Sequence, residues 1–124
     1  MAKKSSSKSM RRFKRVEIEL EVYYQSIKYH NWYATVTMGI GTGGICLISK
    51  EYLGIGSIIK IRLSLSSLRT SIEVTGEVLW SNFLIDRKLY ESGIKFEKLE
   101  EIEKVLISEF IDDFVHHQKD NAKI

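Results

Sequence analysis

From Val16 to Tyr24 apolar and polar residues alternate: Val16, Ile18, Leu20, Val22 and Tyr24 take one side, and Glu17, Glu19, Glu21 and Tyr23 the other. A period of two places successive side chains on opposite faces of an extended chain, so the segment predicts a β-strand with one buried face. The pattern recurs in Trp32, Ala34, Val36 and Met38, in Ile59, Ile61, Leu63 and Leu65, and in Ile72, Val74, Val78 and Trp80. A shorter apolar run spans Ile45 to Ile48, and Tyr90, Ser92, Ile94 and Phe96 share one side of a last strand. Six short strands with Gly-, Ser- or Asn-bearing connections predict a mainly β fold, a six-stranded antiparallel β-barrel that is closed or nearly so.

The period then changes. Leu99, Ile102, Leu106, Phe110 and Phe114 step by three and four, and Val105, Ile111 and Val115 widen the stripe. This predicts a C-terminal amphipathic helix over 99–117. Glu100, Glu101, Glu103, Glu109, Asp112 and Asp113 form its solvated face, while the apolar stripe packs on the barrel or on a partner. With no proline in the chain, nothing forces a break in any element.

A length of 124 residues, 44% of them hydrophobic, fits one domain with one core. No apolar run reaches the roughly 18 residues a membrane-spanning helix needs. The start, MAKKSSSKSM, is polar and basic with no apolar segment behind its charges, so the expectation is a flexible basic arm over 1–10 rather than a secretory signal. The domain is then expected over 11–118, helix included, with a tail over 119–124, and the expected localisation is cytoplasmic. The single cysteine, Cys46, cannot form an internal disulfide, and its apolar neighbours make it a small core residue. No paired carboxylates, Ser/His/Asp set or Cys/His cluster shares a segment, and His116 and His117 end an acidic helix. The expectation is therefore no enzyme activity, no metal site and no cofactor.

Charge adds a candidate chemistry. Residues 1–15 hold seven Lys or Arg and no acid, whereas the rest of the chain carries 12 basic against 16 acidic residues. Arg11, Arg12 and Arg15 sit directly before the first strand. Guanidinium is always charged, offers a planar fork to phosphate, and matches the O6 and N7 acceptors of guanine. The cluster reads either as an anion site or as a solubilising tail. A nonspecific nucleic-acid binder spreads positive charge over its folded face as well, so the acidic remainder argues against nucleic acid as a partner.

Gly39, Gly41 and Gly44 formally satisfy G-x-G-x-x-G, but the strand-like ICLIS follows them, and no acidic residue stands near position 64. A dinucleotide fingerprint needs a helix there, so that reading is rejected. Two remain: a tight hairpin needing positive φ, or a loop whose bare backbone lets a ligand approach closely.

Taken together, RRFKR, the alternating strand, GIGTGGICL, GEVLW and ESGIKFEKL resemble the PilZ domain family over about residues 11 to 99. The resemblance implies a six-stranded β-barrel with a helix, a bacterial source, and cyclic di-GMP as ligand. Arg11 and Arg15 match the family's R-x-x-x-R, with Arg12 beside them. It implies that these arginines grip phosphates and guanine edges while the arm folds over the ligand. The second motif, D/N-x-S-x-x-G, aligned on Gly44 puts Gly39 where the acid or amide belongs and Gly41 where the serine belongs. Losing the acceptor at Gly39 removes a hydrogen bond worth about 1.5 to 3 kcal/mol, or roughly one to two decades of affinity. The Thr42 hydroxyl and the glycine N–H groups are the available replacements. Beside a weaker alternative, nonspecific nucleic-acid binding through the arm, two functions stay open. One is a stand-alone cyclic di-GMP receptor whose ligand orders the arm and changes what an unidentified partner protein sees. The other is an adaptor that does not bind the nucleotide and acts through protein-protein contacts alone.

Overall fold

The computed structural model describes residues 15–17, 20–26, 28–65 and 70–123, with the backbone alone for Arg15, Thr70 and 117–123. Its elements are β1 (Arg15–Val16), β2 (Leu20–Gln25), β3 (Trp32–Gly41), β4 (Gly44–Ser49), β5 (Ile58–Leu65), β6 (Thr70–Leu84), β7 (Leu89–Glu97) and α1 (Glu101–Lys123). All pairings are antiparallel, and the order β3-β2-β5-β6-β7-β4 returns to β3. The six-stranded closed barrel with a C-terminal helix expected from the sequence is thus the fold. The first predicted strand is realised as β1 and β2, both paired with β3. The register moves by one residue between Val16, opposite Ile40, and Leu20, opposite Thr37.

The alternating apolar residues fill the barrel: Ile59, Ile61, Leu63 and Leu65 from β5 meet Val22, Leu47, Val74, Val78 and Ile94. In α1, Ile107, Phe110 and Ile111 are buried and join this core, and the helix packs on β1, β3 and β5. At its start the Glu100 N–H donates to Glu103 Oε1 at 3.0 Å, half of a capping box, and Glu101 and Glu103 place negative charge at the positive end of the helix dipole. The helix runs to Lys123, six residues beyond the predicted His117, so part of the segment expected as a tail is helical. No glycine or proline after Gly93 stops it earlier.

One face assignment is overturned. The sequence reading put Trp32, Ala34, Val36 and Met38 on the core side of β3. Cross-strand partners share a face, however, and Val22 and Tyr24, both buried, lie opposite Thr35 and Tyr33. The inward side of β3 is therefore Tyr33, Thr35 and Thr37. The threonines satisfy their hydroxyls on backbone, Thr35 donating to the Ile48 carbonyl and Thr37 bonding to Gly39. Trp32 faces outward beneath the Arg62 guanidinium, whose carbon stands 3.8 Å from the ring centroid. Tyr24 and Ser26, both buried, donate hydroxyl hydrogen bonds to the Glu51 carboxylate at 3.2 and 3.3 Å. Burial, reinforced by that carboxylate, pushes the Tyr24 hydroxyl well above its usual pKa.

Glycines set how closely the strands approach. A Cβ on Gly44 would lie 2.2 Å from the Ile94 carbonyl oxygen, and one on Gly76 would lie 2.4 Å from Ile94 Cγ2. The expected hairpin is present, with Thr42 and Gly43 between β3 and β4, but the reason for its glycines is corrected. Among the described residues the glycine with positive φ is Gly56, at 90°, so in the β3–β4 segment bare backbone serves close approach rather than a left-handed turn.

Because a backbone oxygen cannot move aside as a side chain can, Gly44→Ala is expected to lower stability by about 2 kcal/mol or more. Gly54→Ala, whose Cβ would meet the movable Ser57 Oγ at 3.2 Å, is expected to stay within about 0.5 kcal/mol of the parent. Urea unfolding of the three proteins measures both, and equal midpoints would refute the close-approach argument.

Candidate functional site

Two β-bulges shape one patch on the outer face of the barrel. In β3, Thr37 lies opposite Leu47 but Gly39 lies opposite Cys46, leaving Met38 as the extra residue. Thr37 Oγ1 holds this bulge by accepting the Gly39 N–H at 2.7 Å and donating to the Gly39 carbonyl at 2.8 Å. Ile40 then turns into the core, and Gly39 and Gly41 are left beneath the outer surface. In β6, Val78 lies opposite Ile94 but Trp80 lies opposite Gly93, so Leu79 is the extra residue. The sequence reading placed Trp80 on the core face with Val78. The bulge instead turns it outward, 41% exposed, beside Leu79 at 50%. Its pyrrole ring covers Gly93, where a Cβ would come within 2.0 Å of Trp80 Nε1.

Between these bulges lies an open cavity of about 520 Å³. Its lining consists of Gly39, Ile40, Gly41, Gly43, Gly44, Ile45, Cys46, Leu79, Trp80, Gly93, Ile94 and Lys95. The volume falls within the roughly 300 to 1,000 Å³ usual for small-molecule sites. Arg15 is the Cα partner of Gly41, which brings the end of the arginine cluster to the rim. Arg11, Arg12 and the arm over 1–10 lie outside the described residues, as does the Arg15 side chain. Of the other expected site residues, Gly39, Gly41 and Gly44 line the cavity, whereas Thr42 stands in the turn and is not part of the lining. The glycines lead into strand β4 and not into a helix.

Sequence reasoning missed Leu79, Trp80, Gly93 and Lys95. A signal was present: Val78, Leu79 and Trp80 are three apolar residues in a row, which breaks the period of two and marks a bulge. Cys46 is also corrected. Ile45 and Leu47 take the inward positions, so Cys46 faces outward, half-buried, with its thiol donating to Glu91 Oε2 at 3.2 Å. A second cavity, of about 620 Å³, lies among Met38, Ile48, Phe83, Ile85 and Arg87 near the β6–β7 turn, and none of the described expected site residues lines it.

Chemically, the first cavity offers a flat apolar platform in the Trp80 indole, a cation in Lys95, and glycine backbone that a ligand can approach without side chains intervening. Such a combination suits a planar ring carrying an anionic group. Among the described residues there is no cluster of His, Cys, Asp and Glu able to hold a metal, and no helix is long and apolar enough to cross a membrane.

Comparison with known proteins agrees with the fold. No curated protein matches the sequence. Among solved structures, YcgR of Escherichia coli in complex with c-di-GMP superposes with a TM-score of 0.74 at 10% identity, over 90% of this chain and 49% of that one. The K. pneumonia MrkH–c-di-GMP complex gives 0.69 at 16% identity, over 89% and 54%. The Bacillus subtilis inhibitor of motility MotI/DgrA gives 0.67 at 14%, over 87% and 50%. Identities this low speak for the fold, and the chain spans about half the length of each of these proteins. The PilZ domain model matches residues 9–113, and with the barrel, the helix and the glycine hairpin in place, this chain belongs to the PilZ domain family.

Proposed function

We propose that this chain is a cyclic di-GMP receptor of the bacterial cytoplasm, not an enzyme, that signals through its arginine-rich N-terminal arm to a partner protein. The observation that carries the reading is the pairing of Arg15 with Gly41, which anchors the R-x-x-x-R segment at the rim of a cavity floored by bare backbone and Trp80. In this reading Arg11 and Arg15, with Arg12 beside them, grip the phosphodiesters. Lys95 adds positive potential, and the indole supports a base by stacking. Solved complexes of YcgR and MrkH with c-di-GMP share this fold and lend the ligand class.

Two charge-assisted contacts at about 1.5 to 3 kcal/mol each amount to at least a hundredfold in affinity. Calorimetric titration with cyclic di-GMP is therefore expected to give micromolar or tighter binding that falls by that factor or more in an Arg11→Ala/Arg15→Ala variant. The absence of side chains at Gly39 and Gly41 favours a second reading, a nucleotide-blind adaptor acting through protein contacts. Folded parent protein that gives no heat with the nucleotide would select it.

Ligand-dependent ordering of the arm is tested separately by hydrogen exchange. Slower exchange across residues 1–15 on adding the nucleotide is expected, while unchanged exchange under saturating ligand would eliminate arm ordering as the output.

A further inference from the structure

The described lining of the cavity around the glycine hairpin is one-sided in its hydrogen-bonding chemistry. Its polar side-chain groups are the Lys95 ammonium and the Trp80 indole N–H, both donors without acceptor capacity, together with the Cys46 thiol, whose proton is directed to Glu91. Two of the backbone carbonyls on this lining already accept a hydrogen bond, that of Gly39 from the Thr37 hydroxyl at 2.8 Å and that of Gly43 from the Phe96 N–H at 3.0 Å. No described lining residue carries a side-chain oxygen. A Cβ at Gly39 would press on the Val16 carbonyl at 3.2 Å, so β1 occupies the space from which a side chain would start.

A purine presents two kinds of edge. Guanine O6 and N7 accept hydrogen bonds, whereas its N1–H and 2-amino group donate them. The Lys95 and Trp80 donors can engage phosphates, O6 and N7, but no described lining side chain offers the 2-amino group an oxygen acceptor. We propose that this site holds a purine cyclic dinucleotide by its ring face and phosphates and does not read the guanine 2-amino group, so that guanine and hypoxanthine are equivalent ligands. The proposal rests on the receptor reading above and narrows its ligand class.

The discriminating probe is cyclic di-IMP, which keeps the phosphates, N1–H, O6 and N7 of cyclic di-GMP and lacks only the 2-amino groups. Arginine contacts to O6 and N7 survive in both ligands and cannot mask the outcome. Parallel titrations of the full chain are expected to give affinities within about threefold of each other. A site that reads the 2-amino group instead prefers cyclic di-GMP by about tenfold to a hundredfold, and a preference of that size overturns the proposal while leaving the receptor reading intact. Binding of neither nucleotide overturns the receptor reading, and the proposal falls with it. Trp80→Ala, an outward residue whose loss uncovers Gly93 without opening the core, is expected to weaken both ligands in parallel by about tenfold. Unchanged affinities in that variant would overturn recognition by the ring face.

Discussion

The barrel depends on how closely β4, β6 and β7 approach one another. Gly44 packs against the Ile94 carbonyl, Gly76 against the Ile94 side chain, and Gly93 beneath the Trp80 indole, and at each point a single methyl group would overlap its neighbour. These contacts allow β4 to pair with β7 over six residues, from Gly44 opposite Lys95 to Ser49 opposite Tyr90. That pairing completes the ring and leaves the β4–β7 face no open edge. Core packing follows from closure, because Leu47, Ile94 and Val78 meet Ile61 and Leu63 only once the ring is shut.

Two of the glycines that close the barrel, Gly44 and Gly93, also line the candidate site. Bare backbone beside two bulges leaves a depression on a surface that side chains would otherwise fill. Trp80 is both a structural cover for Gly93 and the platform of the cavity. Barrel closure and the shape of the cavity therefore depend on the same atoms. The Thr37 hydroxyl takes part as well, since it fixes the bulge at Gly39.

Legibility from sequence varied with the physics of each element. In β5 the alternation of Ile59, Ile61, Leu63 and Leu65 is strict, and all four are buried as expected. The stripe on α1 was legible at Phe110 and Ile111, which are buried, but it omitted the fully buried Ile107 and included Ile102, Val105 and Val115, which are exposed. In β3 the reading failed, because two threonines inside the barrel satisfy their hydroxyls on backbone while Trp32 finds Arg62 outside. Hydrophobicity alone then assigns the wrong face, and in a strand a slip of one residue inverts every assignment. At the site, the arginine cluster and the glycine segment stood out by composition. Trp80 did not, since its outward turn depends on the extra residue Leu79 in a pairing with β7 that no local pattern specifies.

By itself the sequence determined the six strands of the barrel and the helix, the family to which the chain belongs, and the concentration of positive charge ahead of the first strand, but not the division of that first strand into β1 and β2. Those properties arise from period, composition and neighbours along the chain, which local sterics and burial convert directly into structure. Tertiary structure alone decided which face of β3 looks inward, where the two bulges fall, how Gly93 receives the Trp80 ring, and that Arg15 pairs with Gly41. Each of these depends on registers between strands distant in sequence, and a register is chosen by the fit of the whole barrel rather than by any one segment.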